Sequence, residues 1–431
     1  MSYEGSTSFP TKTKIKPKDS PVGSVTTDIC VVGAGISGVS AAIEAARLGR
    51  KVVLVDGLPC LGGQAVNSII GTICGLFSNG PNARQLTHGI ADDILCDLGK
   101  QGAAHLIRRP MTVTVYYDEV ALSRWMETTV RAAGIQVVVG AVLREARLEN
   151  RKVMELLLAT RYGDLRIAAT GFVDATGDAA LAWLSGLSCR EPELPIYGTQ
   201  IVVLENLNED HQPSPEDYSA RLRQKADEYG LTRRDGFAFF FPQRSTAVIN
   251  MTHVQTPLDP IGASEKGLEG KEQADRVVRF LKSEFPESFG KARVRSYGLP
   301  GIRQTRWIVG RHQLTADEVR AGTHFEDEIA RTAWPIELHG RPEGYLWEPF
   351  GDDHLHYVPL GSLIPADADN LVAAGRCIDG DAAALSSVRV MGPCIAMGAA
   401  AAHALDLAGA GSVQQIDTAA LRRRLVRNLE G

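Results

Sequence analysis

Cysteine is sparse in this 431-residue chain and nowhere paired in pattern: seven residues stand at positions 30, 60, 74, 96, 189, 377 and 394. No two form C-x-x-C, which excludes a dithiol redox centre, a zinc knuckle and a ferredoxin-type cluster. The odd number, and first 24 residues without the apolar core of a secretory signal, point to reduced thiols in a cytoplasmic protein. Neither sign of charge dominates. With 46 Lys+Arg against 51 Asp+Glu the net charge is -5, so the chain has no basic footprint for nucleic acid or an anionic membrane. Long apolar runs are also missing. The nearest to one, "CIAMGAAAAHALDLAGAG" (394–411), is made of small residues and carries His403 and Asp406. It fits a helix packed tightly under a sheet and not a membrane span. Residues 1–24, rich in Ser, Thr, Pro and Lys, read as a flexible arm. The length allows two or three modest domains, or one large domain with an inserted part.

What is present begins with "DICVVGAGISGVSAAIEAARLGRKVVLVD" (28–56). The β-branched run before Gly33 suits a parallel strand buried on both faces. Gly33, Gly35 and Gly38 then form G-x-G-x-x-G: the first permits the tight turn, the second lets a pyrophosphate approach the backbone, and the third lets helix and strand pack. A helix opening at Ile36 and Ser37 and running to about Leu48 presents free N–H groups and its positive dipole end to phosphate. "KVVLVD" gives the second strand, and Asp56 stands 21 residues after Gly35, where a carboxylate meets a ribose hydroxyl. Strand, turn, helix, strand and acid agree on a dinucleotide but leave open which one.

Three further segments carry a resemblance. "LPCLGGQAVNS" (58–68) follows the acid directly, "GFVDATGDAALAWLSG" (171–186) pairs a short strand with an A-T-G-D turn, and "NLVAAGRCIDGDAAALSSVRVMGPCIAMGAAAAHAL" (370–405) returns as strand, Ala-Gly-Arg turn, Asp and Ala-rich helix. Together with "GIRQTRWIVGRHQLTADEVRAGTHFEDEIARTAWPIELHG" (301–340), the chain resembles the two-dinucleotide-binding-domain flavoproteins. More narrowly it is similar to the single-FAD "FAD-dependent oxidoreductase" family, related to the flavin subunit of heterodisulfide reductase. The resemblance implies an α/β fold: a Rossmann-like FAD-binding domain of glutathione-reductase type with an inserted α+β substrate or cap domain. The FAD domain is expected over 25–187 and 364–431, and the cap over 188–363. FAD is the implied cofactor; no metal is expected.

The resemblance also implies a cofactor site. Gly62, Gly63 and Gln64 would lie along the phosphate and ribityl chain, and Val142 would meet adenine through its backbone. Ala175, Thr176 and Gly177 would close the nucleotide turn, and Gly375, Arg376 and Asp381 would contact the flavin side, simple turn formation being the alternative. Gly392 opens a helix aimed at flavin N1/O2, where a positive end favours the anionic reduced ring, and Arg389 would add charge there or form a structural ion pair. Two features depart from the relatives: "VPLGSLIP" has Leu360-Gly361 where a charged or aromatic pair is usual, and the cluster cysteines of the heterodisulfide-reductase relatives are absent.

Chemistry at a flavin needs a substrate C–H over N5 and a group to take a heteroatom proton, a task for histidine. Among His253, His312, His339, His354 and His356, the expected catalytic residues are His312 and His356, because each falls in a segment expected near the flavin. Arg303 and Arg306 would clamp a carboxylate, ion pairs with the cap surface being the alternative. Cys60 lies beside the flavin-loop glycines and Cys394 near a helix N-terminus that would lower its pKa, unreactive buried thiols being the default reading of both. The expectation is oxidation of a small polar substrate (amine, alcohol or related) by hydride transfer to N5. An NAD(P)H-reduced monooxygenase is the first alternative, and a nucleic-acid-modifying or assembly flavoprotein the second. The partner is a small molecule, with neither nucleic acid nor membrane; a homo-oligomer is compatible with the chain.

Overall fold

The computed structural model describes residues 22–430, so the N-terminal arm lies outside the described residues up to position 21. Strand β1 spans Gly23–Val32 and therefore starts inside the stretch read as arm. The reason is a partner far along the chain: β6 (Gly163–Asp174) pairs with it in parallel from Gly23↔Leu165 to Val32↔Asp174. β2 (Val52–Asp56) flanks β1 on its other edge, and β3 (Gln136–Val139) flanks β2, both in parallel. β7 (Leu371–Ala373) pairs in parallel with the last three residues of β6, so the C-terminal segment returns to the sheet of the first. Along the first half of β6, β5 (Lys152–Thr160) and then β4 (Ala141–Glu149) add an antiparallel meander, as the alternating 144–172 segment suggests. Residues such as Cys30, Val31, Leu54, Phe172 and Val372 are fully enclosed, which is why these strands read as unbroken apolar runs.

Helix α1 (Ile36–Arg47) covers one face of this sheet, and α2 (Met391–Ala408) lies across α1. The small residues of α2 are dictated by that crossing. A Cβ on Gly398 would stand 2.2 Å from the Ser37 carbonyl oxygen, and the Ser40 hydroxyl donates to the Ile395 carbonyl at 2.8 Å. By length and composition α2 could cross a membrane, yet 78% of it is buried within the protein. It ends at Ala408, where Gly409 takes φ +52°.

The C-terminal end of α2 is tied to the segment just after α1 and to the helix Thr418–Arg424 through one carboxylate. Asp406, with 10% of its side chain exposed, accepts from Arg50 Nε at 2.6 Å and from Arg424 Nη1 at 2.6 Å. Burial alone would push its pKa up; the two guanidiniums outweigh burial and hold it below the usual carboxylate range. A carboxyl depressed in the folded state stabilises above its unfolded pKa and ceases to as pH falls through the folded value. D406N should therefore lower stability by about 1 kcal/mol at neutral pH, the two half-exposed arginines being screened by solvent. Urea titrations of both proteins should show that difference shrinking to nothing in acid.

The middle of the chain forms a four-stranded antiparallel sheet in the order Phe237–Phe241, Thr246–Asn250, Val202–Glu205, Arg293–Tyr297. The helix Pro260–Glu284 packs on it over a core of its own that includes Ile249, Ala274, Val277 and Phe280. Composition places that helix at about 264–288. It begins four residues earlier because the Asp259 side chain caps it, accepting from Gly262 N at 2.7 Å with Pro260 in the first turn. A three-stranded sheet (Thr72–Ile73, Val113–Tyr117, Ala104–Arg108) has no clear signal in the sequence. Its Tyr116 ring packs edge-on against Phe239 at 5.3 Å and so joins the first third of the chain to the middle sheet.

Candidate functional site

The carboxyl ends of β1, β2, β6 and β7 meet at a cluster of glycines. Gly33 takes φ +102°, and a Cβ there would lie 2.2 Å from the Ala175 carbonyl oxygen; one on Gly38 would lie 1.7 Å from the Gly33 carbonyl oxygen. Both glycines are demanded by packing. Gly35 differs: its φ of -73° suits any residue, and an added Cβ would meet nothing nearer than the Gly63 Cα at 3.9 Å. The space beside Gly35 is therefore open, on the side where α1 begins with no capping side chain and no acid in its first turn. Gly62 N donates to the Ala34 carbonyl at 2.8 Å, and a Cβ on Gly63 would stand 2.7 Å from Gly35 Cα, so the 58–68 loop lies against the turn. Asp56 accepts from Ala34 N at 2.6 Å and from Leu58 N at 2.7 Å, which fixes its carboxylate beside the cradle. The Val142 side chain is exposed; two residues before it, Gly140 N donates to the Leu58 carbonyl at 2.8 Å, which sets the start of β4 beside the Asp56 end of the cradle. Gln64 Oε1 accepts from Ile302 N at 3.1 Å, bringing the middle of the chain to the same place.

The other turns converge here as well. Gly177 (φ +83°) faces the Arg376 guanidinium, and Gly375 (φ +77°) faces the Ser37 hydroxyl. Arg376 Nη1 stands 3.6 Å from Asp178 Oδ1, too far for a hydrogen bond, and is enclosed without another acceptor. Asp178 instead accepts from the Thr305 hydroxyl. Thr176 is held by Asp174, whose Oδ1 accepts from its hydroxyl at 2.7 Å. Asp381 serves as a helix cap: Oδ1 accepts from Ala383 N and Ala384 N at 3.0 and 2.8 Å, and Oδ2 from Ala316 N at 2.6 Å. The turn-forming alternative thus accounts for its carboxylate. Gly392 opens α2 against a loop that sequence reasoning did not single out, since its Cβ would stand 2.4 Å from the Gly75 carbonyl group. Helix α2 also starts without a capping side chain or a first-turn acid.

Beside that helix end lies a buried cationic cluster. Arg303 is 8% exposed and makes one hydrogen bond among the described residues, Nη1 to the Tyr197 carbonyl at 2.7 Å. Burial, with Arg389 and Arg233 close by, pushes its pKa down. Among the described residues Arg389 Nε is enclosed without a partner, and its Nη2 reaches only the Glu337 carbonyl at 3.5 Å. Arg233, missed in the sequence, pairs with Asp235 at 2.6 Å. Against these stand His253 and His339, which stack on Tyr197 and Tyr345 respectively. Arg306 belongs elsewhere: it lies 4.3 Å over the Trp183 ring and 3.4 Å from Glu191, so the surface ion-pair alternative holds for it.

The two expected catalytic histidines sit differently. His356 is fully buried, and both ring nitrogens are engaged, Nε2 with the Ser387 hydroxyl at 2.8 Å and Nδ1 with His354 at 3.2 Å. Burial first, then His354, drives its pKa down to about 3. His312 keeps 35% of its side chain exposed and places Nε2 3.1 Å from Glu318. Cys394 follows the buried-thiol reading and not the helix-end one. Burial pushes Cys394 up to about 11 despite its place in the first turn of α2, and Cys74 up to about 12.

The family described as "FAD dependent oxidoreductase" matches residues 28–425. No curated protein matches the chain in sequence. Among solved structures it is similar to a geranylgeranyl bacteriochlorophyll reductase-like protein of Thermoplasma acidophilum, at 14% identity and TM-score 0.49 over 89% of this chain and 78% of that one. It is also similar to PqsL of P. aeruginosa in complex with 2-aminobenzoylacetate, at 14% identity and TM-score 0.44 over 93% and 92% of the two chains.

Proposed function

The chain belongs to the FAD-dependent oxidoreductase family, and from that premise we propose that it oxidises a small polar organic substrate such as an amine, an alcohol or a related compound. Bound FAD supplies the two-electron acceptor, with N5 as the hydride-accepting atom. The residues present fit that cofactor: the open space at Gly35 is a cradle that any Cβ would fill, and Arg376 Nη1 and Arg389 Nε are enclosed without hydrogen-bond partners. In this reading the ADP half is held by Gly33, Gly35, Ile36, Ser37, Gly38 and Asp56, with Val142 beside adenine. The remainder is held by Gly62, Gly63, Gln64, Ala175, Thr176, Gly177, Gly375, Arg376, Arg389 and Gly392. The architecture is of glutathione-reductase type, with residues 188–363 inserted as the cap.

The observation that carries a polar substrate is Arg303, a buried guanidinium with no carboxylate within ion-pair distance among the described residues. A guanidinium so placed needs an anionic or strongly accepting group from a ligand. Trp347 meets the Trp334 and Tyr345 rings edge-on, at 5.8 and 6.0 Å. His312 is the proton acceptor of this reading, because Glu318 holds its Nε2 and leaves Nδ1 unengaged. The test is anaerobic mixing of the yellow protein with panels of amines, alcohols, sugars and amino acids, scored by loss of flavin absorbance. Bleaching by a carboxylated member and not by its amide is the expected result. Rapid bleaching by NADPH alone, with none by any panel member, would replace this reading with the monooxygenase one.

A further inference from the structure

Two buried histidines and a partly exposed glutamate next to Arg303 form an unbroken chain of polar contacts. His253 Nδ1 lies 3.0 Å from the Pro342 carbonyl oxygen, His253 Nε2 lies 2.9 Å from His339 Nδ1, and His339 Nε2 lies 2.9 Å from Glu337 Oε1. All three separations are hydrogen-bond distances, so each link needs one proton. A carbonyl only accepts, so His253 must carry its proton on Nδ1. Neutral His253 then offers a lone pair at Nε2, and His339 must donate from Nδ1. Neutral His339 in turn offers a lone pair at Nε2, facing an oxygen of Glu337. Two neutral imidazoles and a carboxylate bring two protons to three links. Reversing the chain only moves the gap, setting the His253 Nδ1 lone pair against the Pro342 oxygen.

We propose that His253, His339 and Glu337 together hold one proton more than two neutral histidines and a carboxylate would, shared across the His339–Glu337 contact. The cluster is thereby a loaded proton donor, able to accept a proton only after releasing one. Its surroundings agree with a fixed, enclosed device. His339 is fully buried and stacked on Tyr345 at 4.8 Å, and His253 is stacked on Tyr197 at 5.6 Å. Trp334 Nε1 donates to Glu337 Oε2 at 3.1 Å, which orients the carboxyl group. Burial, then the nearby arginines, drives both histidines' pKa values down, which disfavours a full imidazolium on either ring; the extra proton is required by the three contacts and not by the field around them. Glu337 keeps 22% of its side-chain surface open, and it is the end through which the proton exchanges.

The count is tested as net charge, by capillary electrophoresis of the FAD-loaded protein at pH 8. In E337Q the amide donates to His339 Nε2, so no shared proton is needed. The expected result is a mobility equal to that of the unaltered protein; a gain of one positive charge would overturn the proposal. In H339N the shared proton has no seat, Glu337 is left as a carboxylate, and the variant is expected to gain one negative charge; an unchanged mobility would overturn the proposal. The two shifts are opposite in pattern to those of an ordinary carboxylate beside neutral histidines, so either variant decides alone. Neither depends on knowing the substrate.

Discussion

Replacing Gly35 by valine is expected to give a protein that folds with a wild-type melting temperature before cofactor is added but comes out colourless. At φ -73° and ψ -173° the backbone at this position is open to a β-branched residue, and the nearest atom to its Cβ is 3.9 Å away. Among the described residues nothing crowds that Cβ. What opposes it is the pyrophosphate, whose approach to the backbone needs that volume and the unblocked first turn of α1. The loss of FAD affinity should be at least about 100-fold, or about 3 kcal/mol, measured by flavin fluorescence quenching on titration of the apoprotein. Retention of bound flavin by this variant would remove the cradle from the cofactor site.

Gly38→Ala should do the reverse and damage the fold itself. Inside a helix this exchange ordinarily stabilises by up to about 1 kcal/mol, because alanine is the better helix former. Here the new Cβ would be 1.7 Å from the Gly33 carbonyl oxygen and 3.2 Å from the Ala175 Cβ. Relief requires moving α1 off the sheet, against α2 on its far side. A net loss of at least about 3 kcal/mol is expected, read as a lower urea midpoint of the apoprotein. Together the two variants separate glycines that serve the ligand from glycines that serve the packing, although the sequence motif treats them alike.

That difference marks how far the sequence is legible. The G-x-G-x-x-G turn and Asp56 can be read because strand, turn, helix and acid are neighbours in the chain and each imposes a local residue type. The return of 370–405 to the same sheet can be read only through resemblance, since nothing local to β7 says that it pairs with β6. Asp381 had a local signature, an Asp followed by three alanines that open a helix, which a capping reading would have found. The Gly75 loop against Gly392, and the contact of His253 with His339, have no such signature. Their partners are separated by 317 and 86 residues, and a lone histidine or glycine looks the same whether its partner is water or another buried side chain. Arg233 was invisible for a related reason: it lies in a charged stretch whose composition predicts a surface, yet it is 2% exposed.

The crossing of α2 over α1 bears on the order of events during synthesis. The cradle is encoded within the first 60 residues, but α1 is covered, and β6 gains its last neighbour, only when residues near 371–408 arrive. On the ribosome the nucleotide-binding end therefore waits, half built, through the translation of more than 300 residues. A nascent chain halted before α2 has the motif without the site, so cofactor loading is expected only after α2 has been made.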